Sequence, residues 1–245
     1  MLTENKFSKY FLYAIGEIVL VVVGILIALG INNWNDKKKN NEVEAQYYCK
    51  VLDDLELDKK LLEELSEKAD NRISLSKQLL LDLDSGKKDK KYLLNSFLTA
   101  VRSNNYVPRN MTFRDLISSG NIKLFKDIKI KNSLIQYYSD LEDTQSQIKE
   151  NRNEHIKEVY QLVNSKIEFG LYEFEYVNKL VGQKIIETLP KIDWTKDKNS
   201  DFYKSFQKVL MFNIAIANRE KQHFKAINTL MESPYELLKK KCVNK

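Results

Sequence analysis

Two hydrophobic rhythms organise this chain. From Phe11 to Ile31 the sequence FLYAIGEIVLVVVGILIALGI is apolar throughout except at Glu17. A helix of that length rises about 31 Å, enough to cross the hydrocarbon core of a bilayer. Beyond it the continuous run gives way to periodicity. Between Lys38 and Leu83 there is no proline or glycine, and apolar residues recur at Tyr48, Val51, Leu52, Leu55, Leu62, Leu65, Ala69, Ile73, Leu80 and Leu83. Spacings of three and four describe one face of a long helix. Asp58 and Ser76 interrupt that seam, which favours a bundle helix over a self-sufficient coiled coil. Asp84-Ser85-Gly86 reads as its glycine stop.

The same rhythm predicts a second helix over Asp89 to Ser103, with Tyr92, Leu93, Phe97, Ala100 and Val101 inward, then a loop from Asn104 to Asn110 around Pro108. Thr112 is positioned to cap a short helix over Phe113 to Ser119, ended by Gly120. A long helix follows from Asp127 to Lys166 with Ile130, Leu134, Tyr137, Tyr138, Leu141 and Ile148 on its apolar side. Phe169 to Tyr176 reads as loop or helix, and Tyr176 to Leu189 as a helix. Ser200 or Asp201 caps a last long helix through Met231 carrying Phe202, Phe206, Val209, Leu210, Phe212, Ile216, Phe224 and Ile227, and Pro234 opens a short tail helix. The expected fold is all-α: an N-terminal transmembrane helix, a long stalk helix and an antiparallel bundle of about four main helices. The expected divisions are a tail at 1–10, an anchor at 11–34 and a helical bundle domain at 35–245.

Several features make the apolar run an anchor. Tyr10 and Tyr13 on one side and Trp34 on the other occupy interfacial aromatic positions, and Asn32, Asn33 and Asp36 return the chain to water. The rival reading is a cleaved signal peptide, with Lys6 and Lys9 ahead of Ile18 to Ile27 and a small-x-small site at Ala28-Leu29-Gly30. The run extends upstream of such a core and spans unaided, so retention is expected. At about 100° per residue Glu17, Gly24, Ala28 and Ile31 share one stripe. Gly24 and Ala28 form a small-xxx-small pair that permits close helix approach, and a carboxylate inside an apolar run tends to face protein or water, so this stripe is the candidate association face. The bland alternative is that Glu17 snorkels to the N-terminal interface.

The stretch Tyr13 to Leu29, YAIGEIVLVVVGILIAL, followed by Ile31-Asn32-Asn33-Trp34-Asn35, resembles the N-terminal hallmark of an uncharacterised family of single-pass membrane proteins from Bacteroidetes, a YAIGEIVLVVxGILIALxINNWN-type segment. Phe113 to Leu124, FRDLISSGNIKL, is similar to a second stretch of that family. The resemblance implies membrane attachment and a bacterial origin, and it supplies no catalytic residue. Gly30 stands where many members carry a polar residue.

Composition narrows the chemistry. The seven glycines and three prolines among 245 residues suit long helices. A net charge of +6 is spread over interleaved acidic and basic residues, and no aromatic-interleaved basic motif accompanies the lysine runs, so nucleic-acid binding is not expected. Cys49 and Cys242 form no closely spaced metal pair, and they can bridge only if the first and last helices lie side by side. With His155 and His223 the only histidines, most metal and triad arrangements fall away. Glu220 and His223 make a single Glu-x-x-His, and the second copy that a di-iron bundle needs is missing, so a surface pair is expected. No Walker loop, G-x-G-x-x-G, G-x-S-x-G or H-E-x-x-H occurs.

The sequence therefore leads to no catalytic, cofactor-binding or metal residue and no cofactor. The expected protein is a non-enzymatic single-pass protein of a bacterial inner membrane, with the tail Met1 to Tyr10 cytoplasmic and the soluble domain periplasmic. Its partners would be the lipid bilayer and either an unknown protein or a second copy of itself. The alternative is a membrane-tethered sensor bundle that holds a small ligand among Tyr137, Tyr138, Tyr160, Phe169, Tyr172, Phe174 and Tyr176.

Overall fold

The computed structural model describes residues 4–165 and 167–242. Met1 to Thr3 of the tail, Lys166 at the expected end of the central helix, and positions 243–245 lie outside the described residues. Among the described residues the architecture is all-α with no strand.

The anchor and the stalk are one element. Helix α1 runs unbroken over Glu4–Ser85, 82 residues and about 120 Å long. Nothing interrupts it because no glycine or proline occurs between Gly30 and Gly86. It stops where Gly86 takes a φ of +64°, a left-handed conformation that side chains with a Cβ resist. Its first part packs against nothing: every described side chain from Lys9 to Glu42 is exposed, and burial starts at Glu44.

The second element, α2 (Lys90–Ala100), is shorter than the periodicity implied and is capped by Asp89, whose side chain accepts from the Tyr92 N–H at 2.7 Å. Tyr92 turns outward and Leu94 inward. Helix α3 (Met111–Ser118) starts one residue before Thr112, with Asn110 at the cap, so the threonine is not the cap. Helix α4 covers Ile128–Ser165. The expected helix over Tyr176 to Leu189 is split into α5 (Glu175–Val181) and α6 (Gln183–Ile186) by Gly182 at φ +83°. A 3-10 turn at Trp194–Lys196 leads into the last helix.

That helix, α7, spans Asp201–Cys242 and continues straight through Pro234, where the sequence implied a break. Ser200 Oγ accepts from the Tyr203 N–H at 3.2 Å and serves as the cap. A proline inside a helix forfeits one backbone hydrogen bond and crowds the previous turn. Here both sides of it are held by packing, since Met231 and Leu238 are buried in the core shared with α1 and α4 and Pro234 itself is buried. The bundle thus has three long helices where about four were expected, with α7 packed against both α1 and α4, and α2 closing the far end against α1.

Two apolar cores lie along the bundle axis. The core nearer the anchor joins Tyr48 to Leu65 of α1, Ile130 to Ile148 of α4 and Phe224 to Leu238 of α7, plugged by Tyr106, Leu116 and Phe125. The distal core joins Leu79 and Leu83 to α2, Leu162, Phe169, Phe174, Trp194 and the start of α7. In α1 the buried seam slips one position after Ala69, so that Arg72 and Leu79 face inward while Ile73 and Leu80 are only half-buried.

Candidate anchor face and the polar layer of the bundle

The expected interfacial aromatics stand free on α1: Tyr13 is 79% and Trp34 66% exposed, and Tyr10 likewise projects outward. Glu17, Gly24, Ala28 and Ile31 are all exposed, and a Cβ added at Gly24 would meet nothing within 4 Å. A run of large apolar side chains from Phe11 to Ile31 left bare in this way is far more than a water-soluble surface carries. Among the described residues α1 holds one helical segment long and apolar enough to cross a membrane.

Because α1 is continuous, the phase of the anchor relative to the bundle is fixed. At about 100° per residue, Glu44, Tyr48, Val51, Leu55 and Leu62 point about 180° away from Glu17, within about 40°. The Glu17–Gly24–Ala28–Ile31 stripe therefore lies on the back of α1, away from α7. The same back carries Asn35, Lys39, Glu42, Gln46, Asp53 and Lys60 in the soluble part, all exposed.

Between the two cores lies a polar layer built by all three long helices. Arg72 on α1 donates from Nη1 to Glu220 Oε2 at 2.6 Å and from Nη2 to Asn213 Oδ1 at 2.8 Å. Asn213 in turn donates from Nδ2 to Ser76 Oγ at 2.7 Å and to the Ala100 carbonyl at 2.9 Å. His155 of α4 is buried beside Arg72 and Asn213, and neither ring nitrogen is hydrogen-bonded within the described residues. Burial, reinforced by the Arg72 charge, lowers its pKa to about 4, so the ring is neutral at ordinary pH. Burial raises the pKa of Glu220, and the Arg72 guanidinium pulls against that rise.

Glu220 is therefore no surface residue, contrary to what the Glu-x-x-His spacing implied. It is taken up by Arg72, while His223 is partly exposed and shares a 3.1 Å hydrogen bond with Asn151. No group of three or more metal-ligating side chains forms among the described residues. A second buried carboxylate, Asp58, accepts the Arg109 N–H at 3.0 Å on both oxygens and lies 3.5 Å from the Tyr106 hydroxyl. The aromatic residues proposed to line one pocket separate: Tyr137 and Tyr138 belong to the core nearer the anchor, Phe169 and Phe174 to the distal one, and Tyr160 and Tyr176 are exposed.

In the sequence Asp58 and Ser76 stand as interruptions of a seam, and Asn213 lies unmarked inside the apolar stripe of α7. An interrupted stripe on two helices was the available signal for a buried polar layer.

The matched family begins within the anchor at Glu17 and runs to Thr144 in the first half of α4. It is described as a family of unknown function, DUF6090, and it spans just over half the chain at residues 17–144. The chain belongs to the DUF6090 family. No curated protein and no solved structure matches it. The DUF6090 segment supplies the bare apolar helix, α2 and α3, whereas α7, which covers the apolar face of α1, lies beyond it. An uncharacterised family and a long apolar helix fit a membrane protein.

Proposed function

We propose that this DUF6090 protein is a non-enzymatic, single-pass protein of a bacterial inner membrane whose helical domain mediates protein–protein interaction, with self-association through the anchor. The observation that carries the reading is the continuity of α1, which joins an exposed apolar segment to a packed bundle without a hinge. The phase of the helix supports self-association. With the Glu17–Gly24–Ala28–Ile31 stripe on the back of α1, two anchors paired through it would hold both bundles pointing outward. Gly24→Leu and Ala28→Leu should each weaken association in a membrane two-hybrid assay, and Glu17→Gln should alter it. Unchanged association in all three, with insertion intact, removes the anchor face from the reading.

In this reading Met1 to Tyr10 lie in the cytoplasm and the residues after Trp34 in the periplasm. Lys6 and Lys9 favour it and Lys37 to Lys39 oppose it under the positive-inside rule. The Cys49–Cys242 disulfide, with Cα atoms 5.6 Å apart, weighs on the periplasmic side because such bridges persist in oxidising compartments. A C-terminal alkaline-phosphatase fusion should be active; an inactive one beside an active cytoplasmic reporter reverses the assignment.

One observation favours the sensor alternative. A groove of about 780 Å³ lies between α3 and α4, lined by Met111, Phe113, Ile117, Ile135 and Tyr138 with Arg114 and Glu142 at its edge. A small molecule retained by the purified protein and lost on Ile135→Arg would support it.

A further inference from the structure

The end of the bundle nearest the anchor is basic. Lys37, Lys38 and Lys39 follow Trp34 after Asn35 and Asp36, Lys123 and Lys126 come from the connection between α3 and α4, and Lys129 from the first turn of α4; all six are exposed. The connection is tied down close to the anchor. Lys126 donates its backbone N–H to Glu44 Oε1 at 2.7 Å and its ammonium group to Asn41 Oδ1. Asn41 stands two turns beyond Trp34, about 10 Å along the axis. Lysine side chains reach several ångströms further, and an ordinary helix tilt of about 20° brings one side of the bundle lower still.

The opposing carboxylates are few and partly committed. Asp127 is ion-paired with Lys241 at 3.2 Å, Glu44 is buried under the Tyr48 hydroxyl and the Lys126 N–H, and Asp115 accepts from the Tyr47 hydroxyl, while Asp36 and Glu42 stand in water. Beside these lysines Ile128, the first residue of α4, is 67% exposed. Exposed cationic side chains beside a bare apolar one match the chemistry of an anionic lipid surface.

We infer that this end of the bundle rests on the bilayer and binds anionic phospholipid headgroups through Lys123, Lys126, Lys129 and the Lys37–Lys39 run, with Ile128 entering the interface. The inference rests on the reading that Phe11 to Ile31 spans that bilayer. Docking fixes the tilt of α1 and presents α2 and the distal core away from the membrane.

The test uses the full chain in nanodiscs of pure phosphatidylcholine and of phosphatidylcholine with one-third phosphatidylglycerol. Hydrogen–deuterium exchange is read over residues 119–131. Each lysine held at an anionic surface is worth roughly a fivefold change in binding, so exchange in the anionic discs should be slower by about tenfold. The difference should collapse in high salt and in Lys123→Glu/Lys129→Glu, yet persist in Lys87→Glu/Lys88→Glu at the distal turn. A second variant, Lys37→Gln/Lys38→Gln/Lys39→Gln, leaves the bundle surface untouched and should reduce the difference without changing helical circular dichroism. Equal exchange in both discs overturns the inference while leaving the anchor intact. Extraction of the chain by carbonate from phosphatidylcholine vesicles overturns the anchor reading, and the docking with it.

Discussion

Arg72 and Glu220, 148 residues apart in sequence, meet with Nη1 2.6 Å from Oε2 at the centre of the bundle, both side chains almost wholly out of water. Their pairing joins α1 to α7 between the two apolar cores. Removing one partner leaves the other charge buried and unpaired, which costs about 3–5 kcal/mol. Arg72→Met and Glu220→Leu alone should each destabilise the detergent-solubilised protein by that order in urea denaturation. The double variant should recover most of the loss.

His155 makes stability fall in acid. Its pKa is about 4 in the folded chain against an ordinary 6.5, so the unfolded chain binds more protons between those values. Its contribution is complete above about pH 6.5 and lost as pH falls towards 4, by roughly 3 kcal/mol in all. Glu220 and Asp58 act with the opposite sign, since burial raises both: their contribution is full below the ordinary carboxylate value and is lost as pH rises through the folded one. Thermal melts compared across this range should show wild-type protein losing stability relative to His155→Leu as the pH drops. Parallel curves would place the ring in contact with water.

Asp58 holds the loop after α2 onto α1. Asp58→Ala leaves the Arg109 N–H and the buried Tyr106 hydroxyl without their acceptor, and should destabilise by about 1–3 kcal/mol. Asp58→Asn keeps one acceptor and should cost less than half as much. Proteolysis within residues 101–110 should accelerate in the alanine variant first.

The disulfide joins α1 to the end of α7 across 193 residues of chain. Closing so long a loop restrains the unfolded chain by up to about 5 kcal/mol in the entropic account. Cys49→Ser/Cys242→Ser, or reduction, should lower the urea midpoint and slow migration on denaturing gels run without reductant. In intact cells, a maleimide that crosses membranes should fail to label either thiol until a reductant is added.

The apolar run long enough to span a membrane and the helical class were legible because both are written in neighbouring residues. Twenty-one positions, apolar except at Glu17, need no tertiary partner to be recognised. The same holds for the stop at Gly86, where one backbone conformation suffices. Local signals failed where packing outweighed them: Pro234 reads as a helix opening, yet Met231 and Leu238 on either side are buried in one core and carry α7 through it.

What the sequence by itself determined is where the long apolar run lies and which stretches coil. Only the tertiary structure decided that Asp58 and Ser76 are buried partners rather than gaps in a seam, that Glu220 turns inward to Arg72, and that Cys49 meets Cys242. The physical reason is distance along the chain. Periodicity reports which face of a helix is apolar within a few turns, whereas a buried ion pair or disulfide depends on the register between helices more than 140 residues apart, and that register is set by the fit of whole faces.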